Sequence, residues 1–144
     1  MVDCIIVGPY NVVIYKDIFP YIKDRVLKLG YTTIPEFNDG IKFGNINWYS
    51  TIGGAVPEKL CLNRVFDSSY EKYDYYDAIN CDRIEDIPAD YTGEIGVPIT
   101  FLEKWNSDQF EVVAKILHNG GGYDVSTPFV NGIKKYARIV IKKR

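Results

Sequence analysis

The sequence predicts an α/β (α+β) fold: strands and β-hairpins, with one clear helix near the N-terminus. Three observations carry this. Cys4-Ile5-Ile6-Val7 is a short continuous apolar run stopped by Gly8-Pro9, the pattern of a strand buried on both faces of a mostly parallel sheet. Just after it, Ile18, Ile22, Val26 and Leu29 recur at helical spacing. Near the C-terminus, Asn131-Gly132 lies between β-rich runs, and both central residues of a type I′ hairpin turn need the positive φ that this pair tolerates.

In chain order, the first strand is followed by Val12-Val13-Ile14 and then by the helix. Asp17 is the expected N-cap, Pro20 falls in the first turn where its missing N–H costs nothing, and Gly30 is the expected stop. Ile41 to Phe43 and Ile46 to Ile52 are apolar and aromatic, with Gly44-Asn45 able to turn between them; Lys59 to Val65 reads as a further strand. Val97 to Leu102 is a compact apolar run that reads as a buried strand. Asn106 or Ser107 suits a capping position, and Phe110 to Leu117 reads as strand on its paired valines. Gly120-Gly121-Gly122 reads as a loop, with His118 beside it. The chain closes on a β-hairpin about Asn131-Gly132.

At 144 residues the chain is expected to form a single domain, residues 1–144, with its own core. Hydrophobic content of 47% and charged content of 25% are ordinary for a globular protein. No apolar run approaches the roughly 20 residues of a membrane helix, and nothing at the N-terminus reads as a signal peptide, so a cytoplasmic protein is expected. Cys4, Cys61 and Cys81 are scattered, and with one histidine they give no metal-ligand spacing. Neither a metal site nor a Cys81–His118 nucleophile pair is expected.

Net charge is −2, which decides nothing about partners, but the distribution is uneven. From Asp67 to Glu94 the acids outnumber the bases, whereas after Asp124 there are only Lys134, Lys135, Arg138, Lys142, Lys143 and Arg144. The basic end either solvates a surface or faces a phosphate backbone or acidic partner. If 133–142 is one strand, Lys134, Arg138 and Lys142 share one face, with Lys143 and Arg144 extending the row. Lys135 then shares the core side with Ile133, Ile139 and Ile141.

The densest stretch is Tyr73 to Phe110, rich in Tyr, Asp, Gly and Pro. Within it GVPITFLEKWNSDQF and YDYYDAINCDRIEDIPADYTG resemble the late-chain signature of the EcoRI-type adenine-specific DNA methyltransferases. Ile5-Ile6-Val7-Gly8, Asn11, Ile14 to Pro20 and Leu29-Gly30-Tyr31 resemble the segment after that family's catalytic motif. Gly44-Asn45-Ile46, Trp48 to Thr51 and Phe129 to Tyr136 resemble its later strand and closing hairpin, in the family's order; residues 53–70 fit least. The resemblance implies part of a Rossmann-like methyltransferase sheet, with Cys4 to Val7 as an interior strand. It also implies a contribution to target recognition in DNA modification and restriction-modification.

What the family needs for methyl transfer is not found. In such enzymes an acid or amide, then two prolines and an aromatic, stand at the end of a strand, and the acid or amide with a backbone carbonyl holds the target amino group; this chain has no Pro-Pro pair, and Gly8-Pro9-Tyr10 is the nearest sequence. A glycine-rich turn after a strand, for S-adenosylmethionine, is also missing at the start. The expectation is therefore a non-catalytic methyltransferase-derived portion with no catalytic residue of its own. Alone it binds no S-adenosylmethionine; it pairs with a separate N-terminal half or with a second copy as a homodimer, and it contacts DNA weakly and non-specifically. A phage or mobile-element protein that inhibits a host defence nuclease, of anti-CRISPR or anti-restriction type, is the alternative.

Two residue sets are candidates for contact. Lys134, Arg138, Lys142, Lys143 and Arg144 supply positive charge for DNA. Tyr73, Tyr75, Tyr76 and Tyr91, with Asp74 and Asp77, form a possible stacking or partner surface, since every base offers a π-face to an aromatic ring. Half-buried packing explains the same tyrosines without a ligand, and the acids around them would repel phosphate.

Overall fold

The computed structural model describes the chain except residues 1, 37, 43, 54–55, 118–123 and 126–127, with backbone only at 31–33 and 124–125. His118 and the glycine run 120–122 therefore lie outside the described residues. The fold is α+β and strand-rich, and its chain divides into two compact units, Met1–Ala55 and Val56–Arg144.

In the first unit, β1 (Ile5–Pro9), β2 (Lys28–Thr33) and β3 (Ile46–Ser50) form a sheet of order β1-β3-β2. β3 runs antiparallel to both neighbours. The mostly parallel environment expected for Cys4 to Val7 is therefore not the one described: its single neighbour is antiparallel, and its other edge carries no strand among the described residues. Nor is this strand buried. Ile5 is 60% exposed, Ile6 52% and Val7 38%. Because neighbouring side chains on a strand point to opposite faces, both faces of β1 are open as well as its edge. Its C-terminal end is anchored instead by Tyr49, 2% exposed, whose hydroxyl donates to the carbonyls of Pro9 (2.7 Å) and Tyr10 (3.2 Å). Burial pushes that phenol up to about 12.

The expected helix over 17–29 is corrected to a single short one. α1 spans Phe19–Lys23, its N-cap is Ile18 rather than Asp17, and Val12 to Ile14 belong to a 3-10 turn. Phe19 and Ile22 bury the apolar stripe. Arg25, with φ of 59°, turns the chain out of the helix, and the Leu27 N–H closes back onto the Tyr21 carbonyl at 3.0 Å. Leu29 and Gly30 then lie in β2. Gly30 is a packing glycine, not a helix stop: a Cβ there would lie 3.1 Å from Trp48 Cβ and 3.3 Å from Asn47 Oδ1.

The second unit is built on β4 (Ile79–Asn80), β5 (Glu94–Pro98), β6 (Phe110–Ile116), β7 (Asp124–Val125) and β10 (Arg138–Lys143), in the order β4-β5-β10-β6-β7. A separate hairpin pairs β8 (Phe129–Val130) with β9 (Ile133–Lys134). β10 is antiparallel to both β5 and β6, and Ile139, Val140 and Ile141 are all fully buried, so it is covered on both faces. Phe101 and Phe110, both fully buried, meet edge-to-face at 5.6 Å in the same unit.

Phe110 to Leu117 is a strand as expected, and Asn106 caps the turn before it, accepting from the N–H groups of Asp108 and Gln109. The run 97–102 is split: β5 ends at Pro98, and Ile99–Glu103 is a 3-10 turn. Lys59 to Val65 is not a strand, only an isolated bridge from Arg64 to Pro88. Among the described residues no helix is long and apolar enough to cross a membrane, and no group of His, Cys, Asp and Glu is arranged for a metal ion. Burial pushes the Cys81 thiol up to about 12, which disfavours its thiolate form.

Candidate nucleic-acid interface

The tyrosine-rich stretch folds back on itself. Lys72 bridges to Ile79, the Tyr73 N–H donates to the Ala78 carbonyl, and the Asn80 N–H to that of Glu71. Residues 74–77 therefore sit at the tip of a tight loop, and the loop sends its side chains to different places. Tyr73 points inward: it is 5% exposed, donates to Asn80 Oδ1 at 2.7 Å, and belongs to the core with Ala78, Ile116 and Val140. Burial pushes its phenol well up. A Cβ on Gly96 would fall 2.2 Å from its hydroxyl, so Tyr73 is covered by the bare backbone of β5. Its position in the core rules out stacking on a ligand.

Asp74 is spent on the hairpin. Its carboxylate accepts from the N–H groups of Asn131 (2.9 Å) and Gly132 (2.8 Å), and its own N–H donates to the Phe129 carbonyl. Asn131 and Gly132 have φ of 50° and 75°, the positive pair expected of this turn. Tyr75 is exposed and set edge-on to Phe129 at 6.1 Å.

The other side of the loop opens onto a cleft of about 390 Å³. Tyr76, Asp77 and Lys72 line it from the loop, Tyr91, Gly93 and Glu94 from the approach to β5, and Lys142 from β10. Glu94 and Lys142 oppose each other across the β5–β10 pairing. The Tyr76 hydroxyl donates to Glu94 Oε2, and burial followed by that bond pushes the phenol well up. Lys72 and Asp77 pair at 2.8 Å. Tyr91 is fixed on two sides: its ring lies 4.6 Å from that of Phe66, and its hydroxyl end covers Gly93, where a Cβ would come within 2.5 Å. Four of the sequence candidates, Tyr76, Tyr91, Asp77 and Lys142, thus meet in one place. Sequence reasoning missed Lys72, Gly93 and Glu94, because only the cross-strand register brings Glu94 to Lys142. It also missed Phe66, which lies in the region of poorest resemblance.

The exposed row expected of Lys134, Arg138 and Lys142 is corrected. Residues 133–142 are not one strand, since β9 and β10 are separated at 135–137. Arg138 is 6% exposed and donates to Asp82 Oδ1 at 2.7 Å, with Lys135 on the other oxygen at 3.1 Å. Burial alone would raise the Asp82 carboxyl, but hydrogen bonds from Asn80, Lys135 and Arg138 outweigh it and hold it below the ordinary range. Ile133, assigned to the core side, is 65% exposed. Lys143 is half-buried, its amine donating to the Ala89 carbonyl, while Lys134, Lys142 and Arg144 are exposed.

The acidic run is largely satisfied from within. Beyond Asp74, Asp77, Asp82 and Glu94, the Glu71 carboxylate accepts from the Asn131 side chain, Asp86 pairs with Arg64, and Asp90 accepts from the Phe66 N–H. Ser69 hydrogen bonds hold the Asp67 carboxyl below its usual range.

The profile of the adenine-specific methyltransferase EcoRI family matches residues 34–144. The chain belongs to this family. It is 34% identical to the type II methyltransferase M.EcoRI of Escherichia coli, over 97% of this chain and 50% of that protein. It is 27% identical to M.MgeORF184P of Mycoplasma genitalium, over 97% of this chain and 56% of that protein, and 33% identical to M.MpnI of Mycoplasma pneumoniae, over 72% and 37%. The chain spans about half the length of these EcoRI-type relatives. No solved structure matches it significantly.

Proposed function

We propose that this chain is the sheet-completing and target-recognition portion of an EcoRI-type adenine-specific DNA methyltransferase. It acts beside a catalytic half that carries S-adenosylmethionine, and transfers no methyl group by itself. The observation that carries this reading is β1. A run of apolar residues open on both faces and along one edge is suited to being covered and paired by residues from another half. Ile5, Ile6 and Val7 are already partly buried, so covering the rest of each would be worth roughly 1 kcal/mol per side chain. Without that half, a second copy is the natural occupant of the edge.

On this reading the end of β1 is not a seat for S-adenosylmethionine. The Pro9 and Tyr10 carbonyls accept from Tyr49, and the Tyr10 N–H donates to the Asn45 carbonyl, so these backbone groups after the strand are already engaged within the chain. A defence-nuclease inhibitor would need the acidic run as an open face, and with so many of those carboxylates held by internal donors that alternative stands behind the methyltransferase reading.

The test uses a catalytic half from the E. coli relative, labelled S-adenosylmethionine and duplex DNA. Adenine methylation is expected from the mixture and not from this chain alone, with Ile6→Asp abolishing it. Methyl transfer by this chain alone, or a micromolar dissociation constant for S-adenosylmethionine by calorimetry, would overturn the reading.

A further inference from the structure

We propose that the cleft between Tyr76 and Tyr91 seats an unstacked nucleobase bearing an exocyclic amino group, together with its adjoining phosphate. The inference rests on the DNA-directed reading above and names a contact within it. At about 390 Å³ the cleft lies in the range of small-ligand sites, roughly 300–1,000 Å³. Two tyrosines that line it are held before any ligand arrives: Tyr91 by Phe66 and the bare Gly93 backbone, Tyr76 by its bond to Glu94. Rings already fixed lose little freedom on binding.

The polar groups match the same ligand. A carboxylate has about four lone-pair sites, and Glu94 gives one oxygen to Tyr76, leaving acceptor capacity for an amino group. Lys142, exposed and opposite Glu94, is placed for a phosphate. The lining carries two lysines, Lys72 and Lys142, against two carboxylates, Asp77 and Glu94. The cleft is thus formally neutral and does not share the repulsion that the acidic run would present to a strand. Adenine, cytosine and guanine carry the exocyclic amino group and thymine does not, so the cleft distinguishes them.

Fluorescence anisotropy with labelled single-stranded dA, dC and dT dodecamers tests this, with labelled duplex DNA alongside. The dA and dC strands are expected to bind at least threefold more tightly than dT. Tyr91→Leu should weaken both about tenfold, while Tyr91→Phe retains their affinity and shows that the fold is intact. Glu94→Gln should remove the preference over dT. Lys134→Ala, outside the cleft, should weaken every oligonucleotide alike. Competition by free dAMP that depends on Tyr91 assigns the seat to a mononucleotide as well as to a strand; its absence assigns it to the strand. Affinity unchanged in Tyr91→Leu, or no preference over dT, overturns the cleft assignment while duplex binding leaves the DNA reading standing. No binding of any nucleic acid overturns both.

Discussion

Arg138 and Asp82 illustrate how a charge read as a ligand contact becomes a structural one. Arg138 lies on the covered strand β10, where an unpaired guanidinium would be costly, and Asp82 meets it at 2.7 Å. Removing the carboxylate strands the cation. Asp82→Asn is expected to cost about 2–3 kcal/mol in urea unfolding at neutral pH, less than the 3–5 of a fully buried pair because Asp82 is half-exposed. The pH sign follows from its lowered folded-state pKa. The contribution is fully present above the unfolded carboxyl range near pH 4, and is lost as pH falls through the folded value. Parent and variant should therefore converge in strong acid; a constant difference down to the lowest pH would refute the assignment. At Gly96, where a Cβ would meet the buried Tyr73 ring, Gly96→Ala should cost about 3 kcal/mol by overpacking. Combining it with Tyr73→Ala should be far from additive, because the smaller residue vacates the same space. Additive losses would mean that the two positions do not compete.

At the scale of elements, the separation of β9 from β10 decides which cations reach solvent. With Arg138 buried and the Lys143 amine held by Ala89, the exposed set is Lys134, Lys142 and Arg144. Three phosphate contacts imply a log–log salt slope for duplex DNA of about −2.7. The pair Lys134→Ala and Lys142→Ala should reduce its magnitude by about two without changing sequence preference, while Arg138→Ala should leave the slope alone and lower stability. An equal fall in slope for Arg138→Ala would place it in the contact. Much of this was legible beforehand. The Asn131-Gly132 turn, β6 and the Asn106 cap were read directly, because each depends on local chemistry. The long helix was not, since periodicity cannot report a reversal at Arg25, where a β-prone segment, Leu29 to Thr33, is claimed by β3. The burial of Arg138 depends on Asp82, 56 positions away, which no local pattern reveals.

For the molecule as a whole, the informative mismatch is between sequence and exposure at β1: the run is apolar, and the described structure leaves it open. Light scattering of the isolated chain at high micromolar concentration should report a dimer, which Ile6→Lys returns to monomer by placing a charge on an apolar strand. A parent that is monomeric under these conditions would remove self-pairing as an occupant. The candidate cleft was half legible. Tyrosines, acids and Lys142 were visible as a composition, but their convergence needs the register of β5 against β10, which only the folded sheet supplies.

The place of β10 also has a consequence for biosynthesis. It is the common neighbour of β5 and β6, yet it follows both in the chain. During translation, two apolar strands emerge with nothing to join them until residues 138–143 have been made. Nascent second units therefore pass through an interval of exposed, unpaired strand edges, the condition in which crowded ribosomes and chaperones matter most. Contacts of such long sequence separation also set a slow closing step.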